Sequence, residues 1–245
     1  MAYVWQRWLA REYRAAGLTV VEIEDWENRG RPASTGNFDP DGPSTVHHTG
    51  STSSASNPRP SLSTLIQGRS DLPGPLCQKA TDHNGVVILI AAGRANHAGQ
   101  VGKSGVVGMP LGADGNALAL GNEVMTDGTQ ALTPAQRRSI AIQTAVDLKH
   151  FSRGPEYAHR HADISGTGKW DIGSLTTPEL RADVRIALNH PEEDFDMNKD
   201  EAKEAFREVL REELGLDSNG KLDLGDGKRR GLGQVLKELW AKRNV

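Results

Sequence analysis

The sequence predicts an α/β or α+β domain over roughly residues 1–190. Short runs at 18–23, 45–49 and 86–90 carry the β-branched or continuous apolar pattern of strands. The pairs Thr133-Pro134 and Thr177-Pro178 open amphipathic stretches in the way helices begin. Turn-forming clusters of Gly, Pro, Asp and Asn separate these elements, and strands mixed with helices imply a layered domain.

Taken in order, Trp5, Trp8, Leu9 and Tyr13 share one helical stripe, and Gly17 stands where a C-terminal cap belongs. Leu18 to Ile23 is the first strand, followed by a Gly/Pro-rich loop from Asn28 to Pro43. Thr45-Val46-His47-His48-Thr49 is a short strand leaving that loop, and Ser51 to Pro60 is a polar, low-complexity stretch expected to be exposed. Ser61 to Gln67 suits a short helix closed by Gly68. Asn84-Gly85 is a hairpin-type turn signal ahead of the buried-strand run Val86 to Ile90. Ala117 to Val124 is a further apolar strand, interrupted by Gly121-Asn122. The helix opened by Thr133 carries Ile140, Ala141, Ala145 and Leu148 on one face; the helix opened by Thr177 runs to about Leu188.

Beyond residue 190 the composition changes. Asp194 to Val245 holds 12 acidic and 11 basic residues against 20 and 18 in the rest, so charge density roughly doubles. Phe206, Val209, Leu210 and Leu214 outline one amphipathic helix, and Leu232, Val235, Leu236, Leu239 and Trp240 another, with a Gly/Asp turn region at 217–227 between them. Residues 191–245 are thus expected to be a small helical segment, either cell-wall binding or structural. The acidic run Asp194-Asp196-Asn198-Asp200 is no EF-hand: its sixth position is Lys199 and its twelfth Ala205.

Composition excludes several functions. The longest apolar run, Val86 to Ala92, has seven residues, far below the roughly 20 that span a bilayer. No basic region leads into an apolar stretch at the N-terminus, so no secretory signal is expected. The lone Cys77 excludes an internal disulfide framework and any Cys-rich zinc module. A formal net charge of −3, with no basic block longer than Lys228-Arg229-Arg230, makes nucleic acid a poor partner.

Five of the eight histidines stand in three suggestive places: His47-His48, His97, and His159-Arg160-His161. A catalytic zinc site takes three protein ligands and leaves a position for water. The glycines between His161 and Gly173 make that segment a loop, able to return Asp171 to the same metal as His161 and to aim Lys169 at it. A metal site and a loop merely rich in polar residues are both compatible with this spacing.

Val46-His47-His48-Thr49, Asn96-His97-Ala98-Gly99, Gly121-Asn122-Glu123 and the His161/Lys169/Asp171 loop occur in the order found in zinc-dependent N-acetylmuramoyl-L-alanine amidases. Over about residues 17–190 the chain resembles these type 2 amidases, relatives of the peptidoglycan recognition proteins. Asp71-Leu-Pro-Gly-Pro-Leu76 and Ala92-Gly-Arg-Ala-Asn-His-Ala-Gly99 look like segments of endolysins from phages of actinobacteria. The resemblance implies a mixed sheet flanked by helices, with one zinc ion in a surface groove. It also implies His47, His161 and Asp171 as ligands, and Glu123 and Lys169 as catalytic residues. Many relatives carry a tyrosine near the position of Cys77; its absence here shifts the burden to Glu123 and Lys169.

Two neutral imidazoles and one carboxylate leave zinc a formal charge of +1, so it remains a Lewis acid and lowers the pKa of bound water to about 7. The expected substrate is bacterial peptidoglycan, cut at the amide between N-acetylmuramic acid and L-alanine, by a protein held in the host cytoplasm until lysis; an intracellular amidase that recycles muropeptides would read the same. Alternation along the strand turns His48 away from His47 and into packing, and His161 is preferred to His159. Arg94 is a candidate clamp for a stem-peptide carboxylate; Asn96 and His97 either line the groove or stabilise a turn. Cys77 is expected to be a buried small residue, with a fourth zinc ligand as the alternative. A non-catalytic peptidoglycan-binding module and a zinc peptidase cutting within the stem peptide are the rival functions.

Overall fold

The computed structural model describes residues 3–189, 221–223 and 229–231. In chain order the elements are α1 (Leu9–Ala15), β1 (Val20–Glu22), β2 (Ser44–His48), α2 (Leu62–Gln67), β3 (Gly68–Arg69), β4 (Leu72–Pro73), β5 (Lys79–Thr81) and β6 (Val87–Leu89). They continue with α3 (Gly115–Leu118), β7 (Leu120–Val124), α4 (Pro134–His150), β8 (Ala158–Arg160), α5 (His161–Ile164), α6 (Thr177–Asn189), β9 (Lys221–Asp223) and β10 (Arg229–Gly231). Six strands form one mixed sheet in the order β1-β6-β5-β7-β2-β8, in which only the β5–β6 pair is antiparallel. The fold is therefore mixed α/β.

Strand alternation divides the sheet into two chemically distinct faces. Val46, Leu120 and Val124 join Leu9, Tyr13, Ile140, Leu148, Leu180 and Val184 in the main core, where α1, α4 and α6 pack. At the centre of that layer the Asp147 carboxylate accepts hydrogen bonds from Tyr13 (2.6 Å), Ser44 (2.7 Å) and Lys79, all of them buried. Beside it, Gln143 donates to Thr81 at 2.8 Å and Thr81 to Asn122 at 3.0 Å. The opposite face carries Ala80, Ile88 and Ile90, which pack with Leu65 and Cys77 in a second cluster. His47 and Glu123, alternating with core residues on β2 and β7, face that side too.

Several boundaries differ from the sequence reading for identifiable reasons. Trp5 precedes α1, because Val4 and Gln6 donate to the Phe38 and Ala92 carbonyls and hold the chain extended. The Ala117–Val124 run splits: Asp114 caps Asn116 and winds Gly115–Leu118 into a helical turn, leaving a strand from Leu120 onward. Gly121-Asn122 does not interrupt that strand. Strand β5 went unrecognised because Lys79-Ala80-Thr81 looks polar, although all three residues are buried. Thr133 forms the expected capping box with Gln136. For α6 the capping residue is Thr176, which pairs reciprocally with Glu179, since the Thr177 hydroxyl is committed to Asp163 and Arg160. The Ser51–Pro60 stretch is not simply exposed: Ser53 is buried and donates to the Met125 carbonyl, and Arg59 pairs with Asp82.

The chain divides into two units, Met1–Asp196 and Met197–Val245. In the second, β9 and β10 form an antiparallel pair, with Lys221 opposite Gly231; β9 lies inside the turn region expected at 217–227 and β10 just after it. The helices expected around Phe206–Leu214 and Leu232–Trp240, and the rejected calcium loop at 194–205, lie outside the described residues. Among the described residues no helix is long and apolar enough to cross a membrane.

The buried Asp147 makes a quantitative expectation. Asp147→Ala leaves the Lys79 ammonium buried without its counter-charge, which costs about 3–5 kcal/mol. Urea denaturation should show the midpoint falling accordingly; a loss under about 1 kcal/mol would mean that Lys79 finds other solvation.

Candidate metal centre and groove

His47 sits on β2 directly opposite Glu123 on β7, in parallel register. His161 begins α5 immediately after β8, the neighbour of β2 on its other side. The loop that follows is pinned at several points. Arg160 donates to Asp163, to Thr177 Oγ1 and to the Leu175 carbonyl. Ile172 and Leu175 are buried in the main core, and Ala162 N–H donates to the Asp171 carbonyl at 2.8 Å. Asp171 thereby returns to His161, with Oδ2 2.9 Å from His161 Nδ1 and 3.5 Å from His47 Nδ1.

His47, His161 and Asp171 are all buried and offer ligand atoms within 4.8 Å of one another. A tetrahedral ion with bonds of about 2.0–2.1 Å needs ligand atoms about 3.3 Å apart, so this donor set fits zinc. The protonation states fit as well. Burial pushes His47 down to about 4, against the opposing hydrogen bond to Asp171, so the imidazole is neutral and can be a ligand. Burial alone would raise the Asp171 pKa, but hydrogen bonds and charge from His161 and His47 outweigh it and keep the carboxylate ionised.

Around this cluster lies a groove of about 830 Å³, whose wall and floor include Thr64, Arg69, Glu123, His161, Lys169 and Trp170. Glu123 is raised to about 8 by burial and by the Asp171 charge, with Lys169 and Arg69 opposing. Lys169 is exposed. His48 lies on the other face of β2 from His47, as alternation predicts, but it is half-buried and lines the groove instead of only packing, its ring meeting Trp170 edge-on at 4.5 Å. His159 lies elsewhere, its Nε2 2.9 Å from the Val107 carbonyl.

Three assignments change. The Arg94 guanidinium is buried against Asp114 (2.6 Å) and the Asn37 carbonyl (2.8 Å) and does not line the groove, so it is no carboxylate clamp. The Asn96 side chain lines the groove but is committed to the Pro73 carbonyl at 2.8 Å, a turn-stabilising bond. His97 lines the groove, yet neither ring nitrogen is open to a substrate: Nδ1 is 3.1 Å from His47 Nε2, and Nε2 is buried. Cys77 is fully buried among apolar side chains, and burial pushes its thiol well up, so it is no zinc ligand.

The sequence reading missed Arg69 and Trp170. Trp170 is half exposed, and its ring is seated over Gly128 and Gly173, where a Cβ would come within 2.8 and 2.4 Å of it. Its place between Lys169 and Asp171 was the available signal.

Residues 44–174 match the family described as N-acetylmuramoyl-L-alanine amidase, Amidase_2, over more than half of the chain. The chain belongs to this family. A comparison with curated proteins found no match. Solved structures similar to this amidase-family chain include the N-acetylmuramoyl-L-alanine amidase LysC from Clostridium intestinale, at 20% identity over 61% of this chain and 86% of that one, with a TM-score of 0.43. A selenomethionine derivative of AmpD matches at 19% identity over 68% of this chain and 94% of that one, TM-score 0.48. The Drosophila peptidoglycan recognition protein SA matches at 16% identity over 61% and 84%, TM-score 0.42.

The buried titratable groups of this family member set a pH optimum for the metal-free protein. His47 and His159, both lowered to about 4, and His97, lowered well below its ordinary value by burial, stay neutral when folded. Unfolded chains take up protons there as pH falls below about 6.5, so stability is lost towards pH 4. Glu123 acts oppositely: the folded protein keeps a proton that the unfolded chain releases above about 4.5, so stability falls as pH rises to about 8. Thermal unfolding in chelator should therefore show greatest stability near pH 6.5, and Glu123→Gln should flatten the alkaline decline and steepen the rise between about pH 4.5 and 6.5. A decline above pH 6.5 that persists in Glu123→Gln would reassign that proton.

Proposed function

We propose that this amidase-family protein is a zinc-dependent peptidoglycan hydrolase. It cleaves the amide between N-acetylmuramic acid and the L-alanine of the stem peptide, in the role of a phage endolysin. The observation that carries this reading is the buried His47/His161/Asp171 set beneath a groove that also presents Glu123 and Lys169. His47, His161 and Asp171 would hold the ion; when bound, zinc supplies Lewis acidity to the scissile carbonyl and to water.

The remaining work falls to the protein's own side chains. Glu123, next to His47 across the β2–β7 pair, takes the proton of the attacking water and passes it to the leaving amine of L-alanine. Its raised pKa makes it a competent proton carrier near neutrality, and the cation would draw that value down again. Lys169 places its ammonium on the groove side, where it offsets negative charge growing on the carbonyl oxygen. A binding module of the same fold needs no such set, so the complete donor triad favours the enzyme. The endolysin role rests on the sequence resemblance to lysins of actinobacterial phages.

Muropeptide analysis tests the reading directly. Peptidoglycan digested by the protein should release intact stem peptides with free L-alanine amines, and chelator should stop the release. Wall binding without cleavage by zinc-loaded protein would establish a binding module instead, and internal peptide cuts a peptidase. Lys169→Ala should lower turnover by about 10²–10³-fold with zinc retained. Glu123→Gln should lower it by about 10²–10⁴-fold, also with zinc retained. Near-normal turnover in either variant would remove that residue from the mechanism.

A further inference from the structure

An imidazole is nearly two-fold symmetric about χ2, so packing alone holds it poorly in one of its two flips. A flip of His47 would exchange Nδ1 for a ring carbon beside Asp171 and remove one donor from the cluster. One interaction distinguishes the two states. His47 Nε2 lies 3.1 Å from His97 Nδ1, the rings crossing at 79° with centroids 5.1 Å apart; flipped, a carbon would face His97 instead.

His97 is itself firmly placed. The Asn116 side-chain oxygen accepts from three consecutive backbone N–H groups, those of His97 (2.8 Å), Ala98 (2.8 Å) and Gly99 (3.2 Å). The His97 ring then packs onto Gly121 of β7, where a Cβ would come within 2.6–2.9 Å of ring atoms. Gly121, inside β7, thus makes room for this ring, two residues before Glu123.

We propose that His97 is a positioning residue, which orients His47 so that Nδ1 faces Asp171 and His161. This rests on the metal-site reading above. The choice of residue follows from charge. A carboxylate could also accept from Nε2–H, and commonly does so behind metal-bound histidines. In this buried place it would add a second negative charge beside Asp171 and cancel the +1 that keeps zinc acidic. A neutral imidazole fixes the ring and leaves that charge intact. It also accepts or donates at Nδ1, so it can serve His47 with the proton on either ring nitrogen.

The test measures zinc affinity of the full chain by competition with a chelator, for wild type, His97→Leu and His97→Asn, alongside melting of each metal-free protein. His97→Leu should bind zinc about 10–100-fold more weakly while its metal-free form melts near wild type. His97→Asn, whose Oδ1 can accept the same hydrogen bond, should stay near wild-type affinity. Unchanged affinity in His97→Leu, or equal weakening in both variants, would overturn the proposal. Nitrogen NMR of the zinc-loaded wild type keeps it testable if the variants do not fold. It should find the proton on His47 Nε2 and none on His97 Nδ1; a protonated His97 Nδ1 overturns it. Failure of the wild type to bind zinc at all would overturn the metal reading itself.

Discussion

A single carboxylate, that of Asp147, joins four elements of this fold. From α4 it accepts hydrogen bonds from α1 through Tyr13, from β2 through Ser44 and from β5 through Lys79, and none of these side chains meets solvent. Strands β2 and β5 flank β7 on its two sides, so one anion in the helical layer ties the three central strands to a common frame. The Lys79 ammonium lies 5.3 Å from the centre of the Tyr13 ring, which adds a second source of solvation for the cation. Burial lowers the Lys79 pKa, and the Asp147 charge and hydrogen bond oppose that shift.

That frame matters because the other face of the same strands assembles the site. Parallel register places His47 and Glu123 side by side, and the chain leaves β8 directly into His161. These positions cluster at the carboxyl ends of three parallel strands, where α/β sheets generally build their sites. One environment then gives two carboxylates opposite protonation tendencies. Asp171 meets two imidazoles and stays ionised, whereas Glu123, half-buried and near the Asp171 charge, holds its proton towards neutrality. Such a divergence separates a ligand from an acid–base group without any difference in residue chemistry.

Much of this was legible from local pattern. Two-residue alternation correctly put His47 and His48 on opposite faces, and Thr133-Pro134 and Asn84-Gly85 announced a helix start and the β5–β6 turn. The approach of Asp171 to His161 followed from loop glycines and family order. What failed depended on partners distant in sequence. Arg94 has the chemistry of a carboxylate clamp, yet its acid is Asp114, brought there by the α3 turn. Lys79 reads as a surface residue because nothing nearby in sequence reveals Asp147, 68 positions away. The motif around His97 identifies a groove-lining loop but not the direction of its ring, which packs onto Gly121 and turns Nδ1 to His47.

The segment from His161 to Leu175 shows how rigidity and access are divided. Its ends are held by Arg160, by the Ala162–Asp171 backbone bond and by two apolar side chains sunk in the main core. Gly166 to Trp170, between those anchors, is exposed. Ligand positions tolerate little displacement, because an ångström at a donor atom costs a metal bond; groups that meet a large, varied polymer gain from reaching outward. The chain satisfies both needs within eleven residues. His161 and Asp171 belong to the buried frame, while Lys169 and Trp170, two and one positions before Asp171, face the groove. The glycines at 128 and 173 complete the division, since any side chain there would strike the Trp170 ring and push it, with its neighbour Asp171, out of place.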